Sequence, residues 1–150
     1  MQSKPTGAEL KKLGCNCAQA TLVVMGDVTG LSYAQACRTA CGFGGGMRAG
    51  ELCGAATGAV MAIGLALGNE SWTDTQTRDS AYAAVIEFNR RFKERFGTLI
   101  CRELLGCDTS TPEGKKVMAE HPEKQQQCLV YITEAERMAR DIIAEWSKTR

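Results

Sequence analysis

Apolar positions along the chain recur at steps of three and four, the spacing that aligns side chains on one face of a helix. Near the C-terminus, Cys128, Ile132, Ala135, Ala139, Ile142 and Trp146 form one stripe, with Glu134, Glu136, Arg137 and Arg140 off it. From an Asp74 cap to Phe96 the pattern repeats: Val85, Phe88, Phe92 and Phe96 face inward, while Arg90, Arg91, Lys93 and Arg95 form a solvated face. Between them lies a small-residue helix from Cys53 to Leu67, whose face is Cys53, Ala56, Val60, Ile63 and Leu67. Shorter helices are expected from about Ala8 to Met25 with a break near Gly14, from a Ser32 cap through Cys41, and around Thr98 to Leu105. Cys107 to Pro112 reads as a turn, and Cys128 is expected to open the last helix after the polar run from His121 to Gln127. No segment sustains the two-residue alternation of a strand. The expected fold is all-α, a compact single-domain bundle of about five to seven helices over residues 1–150, with Val85, Phe92, Ile132 and Ile142 in one core.

A glycine inside a helix costs about 1 kcal/mol against alanine. Gly54 and Gly58, one turn apart, therefore point to close approach of another backbone or of a buried group. Helix crossing is the expected reason for Gly64. Gly54 admits either crossing or room for something bound at Cys53.

Composition then narrows the class. The 150 residues are 44% hydrophobic and 23% charged, which excludes disorder through low hydrophobicity. Eighteen Lys and Arg against seventeen Asp and Glu leave a net charge of +1, no footprint for nucleic acid. The longest uncharged run, Leu52 to Asn69, is too rich in Ala and Gly for a comfortable membrane span, and Met1 to Pro5 lacks the apolar core of a signal peptide. No membrane insertion and a cytoplasmic location are expected.

Eight cysteines change the picture. In a reducing compartment disulfides are not expected, so so many thiols suggest metal binding or redox chemistry, although any single one can simply pack as a small hydrophobe. Cys17, Cys53 and Cys128 are expected at or near helix starts, where unpaired N–H groups favour the thiolate, and Cys101 within a short helix. The loop from Gly42 to Gly50 can offer N–H groups to an anion or to the sulfurs of an iron–sulfur site. It is no nucleotide loop: no strand precedes Gly44-x-Gly46, and Glu51 stands where a P-loop needs Lys. Cys15 with Cys17, Cys37 with Cys41, and Cys101 with Cys107 are neighbours in sequence, but no Cys-x-x-Cys or haem-attachment motif occurs. The single His121 precedes Pro122 in an expected loop and gives little support to a Cys–His nucleophile.

Cys17-Ala18-Gln19-Ala20, Gly44-Gly45-Gly46-Met47 and Cys53-Gly54-Ala55-Ala56-Thr57-Gly58 resemble the C_GCAxxG_C_C family of redox-active proteins, marked by a CGAxxG motif and four recurring cysteines. Phe96-Gly97, Cys101 to Gly106 and Cys128 continue the resemblance over most of the chain. It implies that Cys17, Cys53, Cys101 and Cys128 are the family cysteines, with Cys15, Cys37, Cys41 and Cys107 as extras. It further implies a bacterial or archaeal redox-associated helical protein. A similar module occurs in split-Soret cytochromes, where an iron–sulfur site is associated with it; the haem does not carry over. The leading expectation is an electron-transfer module in which those four thiolates hold a [2Fe–2S] cluster or another soft metal, with Gly45, Gly46 and Gly54 beside it. Two alternatives stand beside it: a thiol–disulfide enzyme using the same cysteines, and a helical interaction protein whose cysteines are mostly core. An unidentified redox partner is implied, and a homodimer is allowed. In the redox readings the four cysteines must converge through tertiary packing, since they lie far apart in sequence.

Overall fold

A computed structural model describes residues 3–149. Its elements are α1 (Gly7–Lys12), α2 (Cys17–Val24), α3 (Gly26–Thr29), α4 (Tyr33–Ala40), α5 (Gly54–Leu67), α6 (Thr75–Phe96), α7 (Cys101–Leu105), α8 (Pro112–Glu120) and α9 (Pro122–Ser147). Among the described residues the only extended pairing is an antiparallel bridge between Leu52 and Ile100.

Local chemistry explains most boundaries. Thr6, Asn16 and Ser32 each build a capping box with the Glu or Gln three residues on, which satisfies two backbone donors at the starts of α1, α2 and α4. Asp74 caps α6 through the Thr77 N–H, as its position before the long stripe implies. Gly97 ends α6 at φ +90°, a conformation cheap only for glycine.

Among the described residues, nine helices exceed the expected five to seven because the N-terminal stretch divides further, into α1, α2 and α3, and because α8 is additional. Thr111 caps α8 by accepting from the Gly114 N–H, and Pro112 occupies its first turn. The last helix begins at Pro122, so Cys128 sits in its second turn and does not open it. The Lys and Gln residues before Cys128 are good helix formers, and this turn meets the bundle through polar groups, Lys124 on the Leu105 carbonyl and Gln125 on the Met118 carbonyl, so no apolar stripe marks it.

The core centres on α5, which packs against α2, α3, α6 and α9. Its Ala55, Ala56, Ala59, Ala62, Ile63 and Leu67 are buried, so helix surrounds it on several sides. Phe92, Ile132 and Ile142 are fully buried, and Val85 packs against the core at its margin. A Cβ on Gly58 would lie 2.8 Å from the Ala18 carbonyl oxygen, and one on Gly54 would lie 3.0 Å from the Ala18 nitrogen. Both glycines thus let α5 cross α2 at close range. Gly64 differs from expectation: nothing approaches the position of its missing Cβ, so crossing does not explain it.

Candidate functional site

The turns that precede α2, α5 and α7 deliver three cysteines to the same end of the bundle. Asn16 fixes the start of α2 by accepting from the Gln19 N–H at 2.8 Å, which leaves Cys17 as the first helical residue. Cys53 is the capping residue of α5, and the Ala55 and Ala56 N–H groups favour its thiolate. Cys101 starts α7. Cys53 and Cys101 are registered by the bridge between their segments: the Cys53 N–H donates to the Leu99 carbonyl at 2.8 Å, and the Cys101 N–H donates to the Glu51 carbonyl at 2.6 Å. Arg102 secures that register by pairing with Glu51 at 2.7 Å and donating to the Gly50 carbonyl at 3.0 Å.

Cys128 comes across from α9, and all four sulfur-bearing residues line one cavity of about 430 Å³. Lys11, Arg48 and Lys115 also line it, with Tyr131 at its aromatic side. Phe96 meets Tyr131 edge-on at 4.8 Å, and Phe92 stacks behind at 4.9 Å from Phe96, which seals that wall.

The four thiols are electrostatically unequal. A hydrogen bond from the Cys128 thiol lowers Cys17 to about 7, with help from Lys11 and Arg48 and against the cost of burial. Cys128 moves the other way, because its proton is held in that bond and its surroundings are buried. Burial and the Cys17 charge push Cys53 up to about 12 despite the Ala56 and Ala55 N–H groups. Burial likewise raises Cys101 to about 11, with Cys17 and Cys107 adding to the rise. Cys17 is therefore the first of the four to ionise as pH rises, while the other three stay protonated.

The Gly-rich loop closes part of the cavity by an unusual route. Gly45, Gly46, Met47 and Arg48 follow one another at φ +65°, +67°, +63° and +56°, a continuous left-handed turn. For Met47 and Arg48 this costs about 1–2 kcal/mol each. Space requires a glycine at 46 as well, where a Cβ would lie 2.5 Å from the Glu51 nitrogen and 2.9 Å from the Cys101 Cβ, whereas a Cβ at 45 would chiefly meet the movable Arg48 guanidinium. The turn aims Arg48 into the cavity. Gly45 and Gly54 line the cavity, whereas Gly46 acts behind Cys101 and is not part of the lining.

The donor set is soft, and the Thr109 Oγ1 is buried in the cavity wall without a hydrogen-bond partner. Those features suit a sulfur-bound group. Among the described residues no three His, Cys, Asp or Glu side chains gather tightly enough to hold a single metal ion, whose thiolate sulfurs stand about 2.3 Å from the metal.

Sequence reasoning did not single out Lys11, Arg48, Lys115, Thr109 or Tyr131 for the site. Only Arg48 carried a signal, its place two residues after three successive glycines. His121 caps the junction of α8 and α9 and pairs with Glu123 at 2.7 Å, away from the thiols. Cys15 and Cys37 also stand apart from the cavity, and Cys41 is exposed beyond the end of α4.

No described helix is long and apolar enough to cross a membrane. No curated protein and no solved structure matches the chain. A family model described as "Putative redox-active protein (C_GCAxxG_C_C)" matches residues 15–142, a span that contains every cavity cysteine. The chain belongs to the C_GCAxxG_C_C family of redox-active proteins.

Proposed function

We propose that Cys17, Cys53, Cys101 and Cys128 hold an iron–sulfur cluster, a [2Fe–2S] centre, and that this cytoplasmic protein carries electrons for an unidentified redox partner. The observation that supports this most is the shared cavity: four cysteines from four helices line it together with three cationic side chains. When bound, such a centre supplies one-electron exchange at a potential tuned by its ligands, hydrogen bonds and burial.

The chain's own groups have distinct tasks in this reading. Cys17 is the thiol most ready to ligate, because it ionises near neutral pH. Cys53 and Cys101 ligate only when a cation displaces their protons, which makes loading release protons. Lys11, Arg48 and Lys115 offset the negative charge of gathered thiolates. The Thr109 hydroxyl is free to donate to the Cys101 sulfur, and the Tyr131 wall limits water.

Anaerobic reconstitution with ferrous iron and sulfide tests the proposal. Visible absorption, a paramagnetic signal on one-electron reduction, and equal iron and sulfide contents are expected, each lost in the Cys17→Ser, Cys53→Ser, Cys101→Ser and Cys128→Ser variants. A colourless, iron-free product under those conditions sinks it.

The hydrogen bond between Cys128 and Cys17 favours one second reading, thiol–disulfide exchange. Cys17 is the entering nucleophile there and Cys128 the resolving thiol. A mixed disulfide at Cys17 that accumulates in Cys128→Ser, without any metal requirement, is its distinguishing result.

A further inference from the structure

A second group of sulfurs lies outside the cavity. Cys15, in the link between α1 and α2, is buried, and its Sγ is 3.9 Å from the Tyr33 hydroxyl. Cys37 is half-buried one turn after Tyr33, on the same face of α4. The Cys15 sulfur therefore meets α4 at the residue one turn before Cys37, on the face that carries Cys37. Their segments are already clamped: Gln19 Nε2 donates to the Cys37 carbonyl at 3.0 Å, and Asn16 Nδ2 donates to the Cys41 carbonyl at 2.9 Å.

Tertiary packing thus couples Cys15 with Cys37, across the sequence neighbours Cys15–Cys17 and Cys37–Cys41. Cys17 is committed to the cavity. Cys41 lies past the end of α4, in the turn that follows it.

We propose that Cys15 and Cys37 form a second dithiol–disulfide couple, separate from the cavity, that exchanges with low-molecular-weight disulfides. Cys37 is the more accessible and enters first. Its thiolate attacks one sulfur of the small disulfide, whose S–S bond breaks; one thiolate leaves and takes up the proton that Cys37 gave to water. A mixed disulfide remains on Cys37. Cys15 then loses its proton, attacks the Cys37 sulfur and expels the second small thiolate, which is protonated in turn. Two protein thiols are oxidised to one disulfide, and one small disulfide is reduced to two thiols. The Tyr33 hydroxyl, 3.9 Å from the Cys15 sulfur, is placed to donate to the Cys15 thiolate and so to promote the second step.

The experiment equilibrates the full chain with graded mixtures of oxidised and reduced glutathione, blocks free thiols by alkylation, and maps tryptic peptides by mass. Cleavage after Lys12 and Arg38 leaves Cys15, Cys17 and Cys37 in one peptide and puts Cys41 in the next. The expected product is an internal Cys15–Cys37 disulfide in the Leu13–Arg38 peptide, with Cys15 and Cys37 protected from alkylation whatever the state of Cys17. In Cys15→Ser, Cys37 should be found as its glutathione mixed disulfide, and in Tyr33→Phe closure of the disulfide should slow severalfold. A link between the two peptides through Cys37 and Cys41, a Cys15–Cys17 link, or full alkylation of Cys15 and Cys37 in excess oxidised glutathione overturns the proposal. These readouts do not depend on what the cavity binds.

Discussion

Two helix contacts are made in opposite ways. Where α5 meets α2, Gly54 and Gly58 remove side chains so that backbone lies against backbone, with Ala18 at the crossing. Where α6 meets α9, large groups fill the gap: Phe88, Phe92, Ile132 and Ile142 are fully buried, and Arg91 reaches Glu145 at 2.8 Å across the rim. The second contact removes much apolar surface from water and carries stability. The first removes little, but it fixes where Cys17 stands relative to Cys53, because a Cβ on Gly54 would lie only 3.2 Å from the Cys17 Cβ. One contact holds the bundle together, and the other sets the geometry of the thiols.

That division can be broken most forcefully at the aromatic contact. Phe88→Ala leaves a void in a fully buried cluster and should lower unfolding free energy by about 3–5 kcal/mol. Under conditions where the variant remains folded, the alkylation rate of Cys17 should be nearly unchanged. Urea unfolding and thiol labelling on the same sample check both halves.

Gly58→Val should show the converse. Its side chain meets the Ala18 carbonyl at 2.8 Å and the Thr21 Cβ at 3.0 Å, so α5 and α2 must move apart, at a cost of about 1–3 kcal/mol. The acidity of Cys17 should be lost with that shift. An unchanged Cys17 titration in Gly58→Val would mean that the crossing does not set the thiol geometry.

The titration itself is the third prediction. Alkylation of Cys17 should rise with a midpoint near pH 7 and move toward the ordinary thiol value of 9.0 in Cys128→Ala, which lacks the donor. Linkage gives the sign for stability. Cys17 is lowered in the folded state, so its contribution is present above 9.0 and lost as pH falls through about 7. Cys53 and Cys101 are raised, so their contribution is present below 9.0 and lost as pH climbs toward about 12 and about 11. Stability measured against pH should therefore gain from Cys17 across pH 7–9 and decline at higher pH, and Cys17→Ser should remove the gain alone.

The smallest effect is expected at the surface. Arg140 pairs with Asp27 at 2.8 Å and with Glu136 at 2.8 Å, tying α9 to α3, but the groups are solvent-accessible. Arg140→Gln should cost under about 1 kcal/mol, less still in high salt, with no change in thiol labelling.

Much of the bundle could be read from the chain because its signals are local. The Ser32 and Asp74 caps and the stripe from Cys128 to Trp146 depend only on near neighbours, and all three recur in the structure. The start of α9 could not be read, since residues 122–127 hold no apolar stripe. Convergence of the four cysteines on one cavity was legible only as a requirement of the chemistry, and its geometry depends on the bridge between Leu52 and Ile100. The lining cations were hidden for the same reason: a lysine in α1 and one in α8 look like any surface charge until the helices dock. The Cys15–Cys37 pairing was obscured by shorter sequence separations that the fold does not use.

The position of Cys128 on the final helix has a consequence for the order of events during synthesis. Cys15, Cys17, Cys37 and Cys41 leave the ribosome long before α9 exists, and contacts between such distant segments form late in folding. Until α9 docks, Cys17 has no Cys128 thiol to stabilise its anion and remains an ordinary sulfhydryl, slow to oxidise and slow to capture stray metal. The arrival of one donor from α9 is what switches Cys17 on, so the cavity stays quiet until the helices that build it have docked.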